Sequence, residues 1–315
     1  MREAAFGRRP GARVRVRLEA SAAERWQVAV ALGGQGRYAG AATILGKLLA
    51  DPAVPAAVAA HAAVTLAAHR RQLGGHAAAR RYDALGLRLA CAAGPGVPDP
   101  DGTDACAARI DALVGLAADA VGTLDHSGAQ RCLDAAAALG DAHPSWRPVT
   151  RAGWVRAELA LLRGDAADAL DPARQALAAA RAGGSVRHVL KSRIVLAVAD
   201  AAAGGDPAAA VAELDAAGGA AERHGLLPLT WPARLATADL LDRFPGLPVP
   251  RTGGGGANER ADGTSHRSVR DRSRDAPRRR HAAMATLSVI EGRTDPIGNR
   301  LMGESVWLPR RLRVT

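Results

Sequence analysis

Gly36-Arg37-Tyr38-Ala39-Gly40-Ala41 is the stretch on which the reading of this chain turns. A helix-length apolar segment precedes it and another follows. The glycine between them supplies the backbone freedom that lets one helix stop and the next begin within a few residues. Ser21 and Glu24 have the spacing of a capping box at the start of the preceding segment, the hydroxyl closing one free amide and the carboxylate another. Trp26, Val30 and Leu32 carry an apolar face from there to Gly33. Equivalents of the stretch begin at Gly74, Leu124, Gly164 and Gly205, at spacings of 38, 50, 40 and 41 residues. The long interval holds Ala93 to Gly102, a Gly/Pro/Asp-rich stretch that reads as an inserted loop. Regular breaks at periods of about 20–50 residues indicate stacked helical units. No β-branched alternation is long enough for a sheet, so an all-α body is expected.

Positions around the breaks repeat as well. Seven residues before each start lie Ala29, Ala67, Ala117, Ala157 and Val198; four residues after each closing alanine position lie Leu45, Asp83, Leu133, Ala173 and Leu214. Small side chains let paired helices approach closely, and a large apolar one at the next turn fills the gap to the neighbouring pair. This pattern resembles the tetratricopeptide repeat over residues 21 to about 242, as five helix pairs and a final helix. The helix-A aromatic falls one place off, at Trp26 and Trp154, and the closing proline is matched loosely, at Pro52. The resemblance implies an α-α superhelix (a TPR-like solenoid) with a concave groove lined from its A helices. Transferred to this chain, the groove positions are Trp26, Gln27, Val30, His61, Thr65, Arg71, Val114, Trp154, Glu158, Val195 and Leu196. That set is mostly apolar with few charges and suits a peptide or an amphipathic helix. The competing reading makes Trp26 and Trp154 core between helices. The co-chaperone carboxylate clamp needs Lys and Asn on successive A helices; the body has only Lys47 and Lys191 and no Asn, so that version is not expected.

Of 42 basic residues all but those two lysines are arginine, and alanine dominates, a bias expected of a GC-rich bacterial genome. The net charge is +11, of which +4 belongs to residues 1–20 and +7 to residues 251–315, leaving residues 21–250 neutral. Basicity therefore belongs to the ends of the chain. Residues 1–20 read as a basic arm with no secretory h-region, 21–248 as the repeat domain, 249–280 as a disordered Arg/Gly-rich linker, and 281–315 as a C-terminal docking segment. In that last segment Met284, Leu287 and Ile290 share a helix face ending at Gly292, Asp295 to Gly298 reads as a turn, and Trp307 centres an apolar cluster. Leu287, Ile290 and Trp307 are its expected anchors, with the solenoid groove the nearest apolar surface for them. Arg278, Arg279 and Arg280 are the strongest basic run and the candidate anion contacts; without interleaved aromatics they would supply at most weak nucleic-acid binding.

Catalytic signatures are lacking. The Gly34–Gly40 stretch looks faintly like a phosphate loop, but a capped helix precedes it where a strand is needed. There is no P-loop motif, no H-E-x-x-H, no C-x-x-C and no G-x-S-x-G, so neither a metal nor another cofactor is expected. Cys91, Cys106 and Cys132 are odd in number and widely spaced, which fits buried free thiols in a reducing cytoplasm. No apolar run reaches the ~20 residues of a membrane helix. The expectation is a non-enzymatic cytoplasmic scaffold or regulatory adaptor for an unidentified protein partner, with nucleic-acid contact through the tail as the alternative.

Overall fold

The computed structural model describes residues 1–94, 96–140, 143–247 and 275–309. Among them are fourteen α-helices, one 3-10 turn and no strand. Five hairpins follow one another: α2 (Ala22–Gly34) with α3 (Tyr38–Ala50), α4 (Ala56–Gln72) with α5 (His76–Ala92), and α6 (Ala105–Gly122) with α7 (His126–Gly140). Then come α8 (Trp146–Arg163) with α9 (Leu170–Ala182) and α10 (Val186–Ala202) with α11 (Pro207–Arg223). A four-residue α1 (Arg2–Ala5) precedes them, and α12 (Leu227–Arg243), α13 (Asp275–Glu291) and α14 (Pro296–Glu304) follow. Helices pack chiefly on their sequence neighbours, giving an all-α superhelical arrangement.

One turn chemistry recurs in all five hairpins. A residue in the left-handed conformation ends each A helix: Gly36, Gly74, Leu124, Gly164 and Gly204. The residue after it donates its amide back to a carbonyl five positions earlier: Arg37 to Leu32, Gly75 to Arg70, Asp125 to Ala120, Asp165 to Ala160 and Gly205 to Asp200. These bonds, between 2.8 and 3.0 Å, are the Schellman closure that satisfies carbonyls orphaned at a helix end. The fifth turn is one residue longer than its sequence spacing suggests, Gly204 rather than Gly205 taking the left-handed role. Leu124 holds φ 62° with a side chain its counterparts lack. The repeat alanines Ala41, Ala79, Ala129, Ala169 and Ala210 are buried, as are Leu45, Asp83, Leu133, Ala173 and Leu214 four residues on. Asp83 is the departure: a carboxylate where the other repeats have Leu or Ala. The capping box forms, with the Glu24 amide donating to Ser21 Oγ and the Ser21 amide to the Glu24 carboxylate.

The superhelix returns onto its own beginning. Arg187, in the first turn of α10, lies against Gly34 at the end of α2, and Leu227 and Pro228 at the start of α12 lie against Gly36. The basic arm is docked on the superhelix through its first twelve residues. Ala5 and Phe6 are buried, Phe6 packing tilted on Trp26 at 5.6 Å. The Val186 amide donates to the Gly7 carbonyl, and Gln35 Nε2 donates to the carbonyls of Pro10 and Ala12. The arm thus ties α2 to α10.

The final helix expected after the five pairs, α12, begins at Leu227 and holds Pro228 in its first turn, where the missing N–H costs nothing. Two boundaries move. Residues 275–280, read as linker, are the first turns of α13, and residues 248–274 lie outside the described residues. Asp295 to Gly298 is the start of α14 rather than a free turn: Asp295 caps it, accepting from the Gly298 amide at 2.7 Å. The cysteines are free, as expected, but none is buried; Cys91 is exposed and Cys106 and Cys132 half-buried. Among the described residues no helix is long and apolar enough to cross a membrane.

Candidate functional site

The A helices α2, α4, α6, α8 and α10, with the start of α12, converge on a concave cavity of about 480 Å³. Of the groove positions expected from sequence, Val30, Thr65, Arg71, Val114, Trp154, Glu158 and Val195 line it. Trp26, Gln27, His61 and Leu196 do not, and Trp26 and His61 are core, each 1 % exposed. Trp26 stacks on His61 at 4.6 Å and donates its indole N–H to Thr65 Oγ1 at 2.9 Å. The same triplet recurs between α8 and α10. Trp154 stacks on His188 at 5.5 Å and donates to Ser192 Oγ at 2.8 Å. In both, the hydroxyl follows the histidine by one helical turn, so a single Trp spans two neighbouring A helices and fixes their register.

The histidines here are neutral at physiological pH. Burial lowers His61 to about 4, with Arg147 adding to the effect, and lowers His69 to about 3, with Arg187 and Arg70 adding. Burial lowers His76 to about 4 and moves His188 well below its ordinary range. Uncharged rings can stack on indoles without an extra desolvation cost.

The cavity is more cationic than the sequence map implied. Besides Arg71 and Glu158 it exposes Arg147, Arg151, Arg187 and Lys191. Arg71 reaches two buried carboxylates, Asp83 through Nη2 and Asp119 through Nε at 2.7 Å, and donates to the Gly115 carbonyl at 3.1 Å. Burial pushes Asp83 well above the ordinary carboxylate range despite Arg71, and Asp119 beside it adds to the rise. Burial raises Asp119 too. Arg147 and Arg151 both pair with Asp111 at 2.7 Å; burial alone would raise that carboxyl, but the two arginines hold it low. Lys191 lies 4.3 Å over the Trp154 ring and 3.6 Å from Glu158. Arg187 pairs with no carboxylate among the described residues; its acceptors are the carbonyls of Ala5 at 3.2 Å and Val30 at 3.5 Å. Burial lowers its guanidinium to about 10, and repulsion from Arg147 and Arg151 contributes.

A helical count back from positions already mapped would have found these cations. Lys191 and Arg187 lie four and eight residues before Val195, and Arg151 and Arg147 lie three and seven before Trp154, all on one helix face.

The C-terminal segment avoids this cavity. Helix α13 packs on α12 with Ala283, Leu287 and Ile290 buried, and the chain then crosses the outer corners of the first three hairpins. Ile290 approaches Gly36, Leu301 approaches Gly75, Ser305 lies on Gly74, and Trp307 donates its indole N–H to the Gly122 carbonyl at 2.9 Å. Trp307 itself is 48 % exposed, edge-on to His76. The Ala39 amide donates to the Arg293 carbonyl at 2.8 Å, and Arg70 pairs bidentately with Asp295 at 2.6 and 2.7 Å. Of the three arginines named as anion contacts, Arg279 is engaged by Asp215 and Asp275, and Arg280 by Asp239 and Asp242. Arg278 remains exposed.

One group of side chains has metal-like spacing among the described residues: Asp104, Cys106 and His143. Its hydrogen bonds explain it without an ion. The Ser145 amide donates to His143 Nδ1, so Nε2 carries the proton and donates to Asp104 Oδ2 at 3.0 Å. Asp104 also caps α6 through the Ala107 amide and accepts from the Asp99 amide. The cluster pins the inserted loop to the helix start.

No protein-family model matches the chain, and no curated protein matches it. Fold and cavity together define an α-α superhelix that encloses a cationic, partly aromatic concave site.

Proposed function

We propose that this chain is a non-enzymatic interaction scaffold that receives a segment of a partner protein in its concave cavity. The observation that carries this is the separation of two surfaces. The C-terminal segment covers the outer corners, while the cavity between the A helices remains uncovered by it. Apolar walls from Val30, Val114, Trp154, Val195 and Trp231 beside polar Thr65, Arg71 and Glu158 match the anatomy of a recognition pocket. The hydroxyl–histidine pair beside the cavity, Ser185 with His188 at 2.7 Å, has its hydroxyl fully buried rather than in the lining, and Glu158, the carboxylate in the lining, is met by Lys191.

The test is selection of binders from a randomised peptide display pool on the full chain, followed by a cavity-filling substitution. Ala68 lines the cavity, so Ala68→Trp should abolish binding of the selected peptides. Trp307→Ala, on the outer edge, should leave it unchanged. A pool that yields no binders, or binders indifferent to Ala68→Trp, would overturn the proposal.

A further inference from the structure

The cavity's charges do not balance within the chain. Arg71, Arg147, Arg151, Arg187 and Lys191 face four carboxylates, Asp83, Asp119, Asp111 and Glu158. Five cations against four carboxylates leave one positive charge without a partner among the described residues, and Arg187 is the cation that lacks one. Unmatched charge held out of water costs free energy, and a protein tolerates it where a ligand supplies the missing partner. The arrangement is also focused. Arg187 and Lys191 are one turn apart on α10, and Arg147 and Arg151 one turn apart on α8. The two pairs repel across the cavity, and Arg187 is the member with no carboxylate.

The apolar walls restrict what the counter-ion is attached to. A free inorganic anion would leave the Trp154, Trp231, Leu229 and Val195 surfaces uncovered. The ligand chemistry that fits both features is an extended acidic peptide whose carboxylate is flanked by apolar side chains.

Resting on the reading of the cavity as a peptide site, we infer that it selects an acidic-apolar segment, with Arg187, Arg151 and Lys191 as the cations that meet its carboxylate. Specificity follows from desolvated charge: a neutral peptide of the same shape would leave Arg187 without a counter-charge, whereas an acidic one supplies it.

The experiment uses the full chain and two synthetic peptide pools. Both carry Leu, Val, Ile and Ala at variable positions; one has Asp or Glu at three fixed positions and the other Asn or Gln there. Binding is read by tryptophan fluorescence and calorimetry, with inorganic phosphate and duplex DNA as competitors. The acidic pool should bind at least ten-fold more tightly. Arg187→Met should remove most of that preference, and Arg187→Lys should restore part of it, with helical circular dichroism unchanged in both. Equal binding of the two pools would overturn the charge inference and leave the peptide site standing. Binding of neither pool would overturn both. Displacement of the acidic pool by equimolar phosphate or DNA would assign the cations to a phosphate ligand and overturn the acidic-peptide assignment.

Discussion

Arginine is used in opposite ways on the two sides of the superhelix. Where the C-terminal segment packs on the superhelix, three arginines meet carboxylates: Arg70 with Asp295, Arg279 with Asp215 and Asp275, Arg280 with Asp239 and Asp242. In the cavity, Arg147 and Arg151 share one carboxylate and Arg187 has none among the described residues. The two sides draw on the same residue type in a GC-biased sequence, so composition does not separate them; pairing does. Matched charges hold the chain to itself, and unmatched ones are available to something else.

The sharpest break in that comparison is Asp295→Ala. Arg70 is 3 % exposed, and removing its bidentate partner strands a buried charge. A loss of about 3 kcal/mol is expected, the low end for breaking a buried pair because Asp295 keeps some access to water. Guanidinium denaturation should show it, together with faster hydrogen exchange over 296–309.

Acidification comes next. His61 and His69 have folded-state values near 4 and 3, below the ordinary 6.5 of the unfolded chain. Between pH 6.5 and 4 the unfolded state therefore binds protons that the folded state refuses. Stability is fully present above pH 7 and is lost as pH falls. At pH 5.5 each of the two has lost about 1.4 kcal/mol. The melting temperature should be flat from pH 7 to 8 and drop between pH 6.5 and 5. His61→Gln would flatten part of that slope.

Two glycine substitutions separate turn geometry from clasp contact. Gly164 and Gly74 share the left-handed conformation, but a Cβ on Gly164 meets open space, while one on Gly74 runs into Ser305. Gly164→Ala should cost about 1 kcal/mol from backbone strain alone. Gly74→Ala should cost more and release the stretch from Ser305 to Leu308. The smallest effect belongs to Trp307→Ala. With its ring half-exposed and one hydrogen bond to Gly122, about 1 kcal/mol is expected, read as local fraying rather than a shifted global midpoint.

What sequence could reach follows from what repeats. The turns and the alanines five or six residues beyond them recur at near-constant spacing, and each has a local physical cause, so hairpins and the all-α class were legible from Gly36 onward. The cavity was only half legible. Arg71, Trp154 and Glu158 lie where the resemblance put them, but Trp26 and His61 turned inward, because stacking and the Thr65 bond bury both rings. Arg187 was missed because the groove positions taken on α10 were only Val195 and Leu196; two turns back along the same face reach it, while its contact with α2 depends on closure of the superhelix. The C-terminal segment was read correctly as apolar and helical around Leu287 and Ile290, yet its resting place was not the groove. It depends on three glycine corners that lie 36–122 in the sequence, far from the segment itself.

The direct test of the central claim, that the cavity holds charge kept for a ligand, is the stability of Arg187→Met without any ligand. Arg187 has no ion pair among the described residues, and its removal relieves repulsion with Arg147 and Arg151. Guanidinium denaturation should place the variant within about 1 kcal/mol of the parent, or above it. A loss of about 3 kcal/mol, matching Asp295→Ala, would show that Arg187 is a structural cation like those on the outer corners, and would contradict the claim.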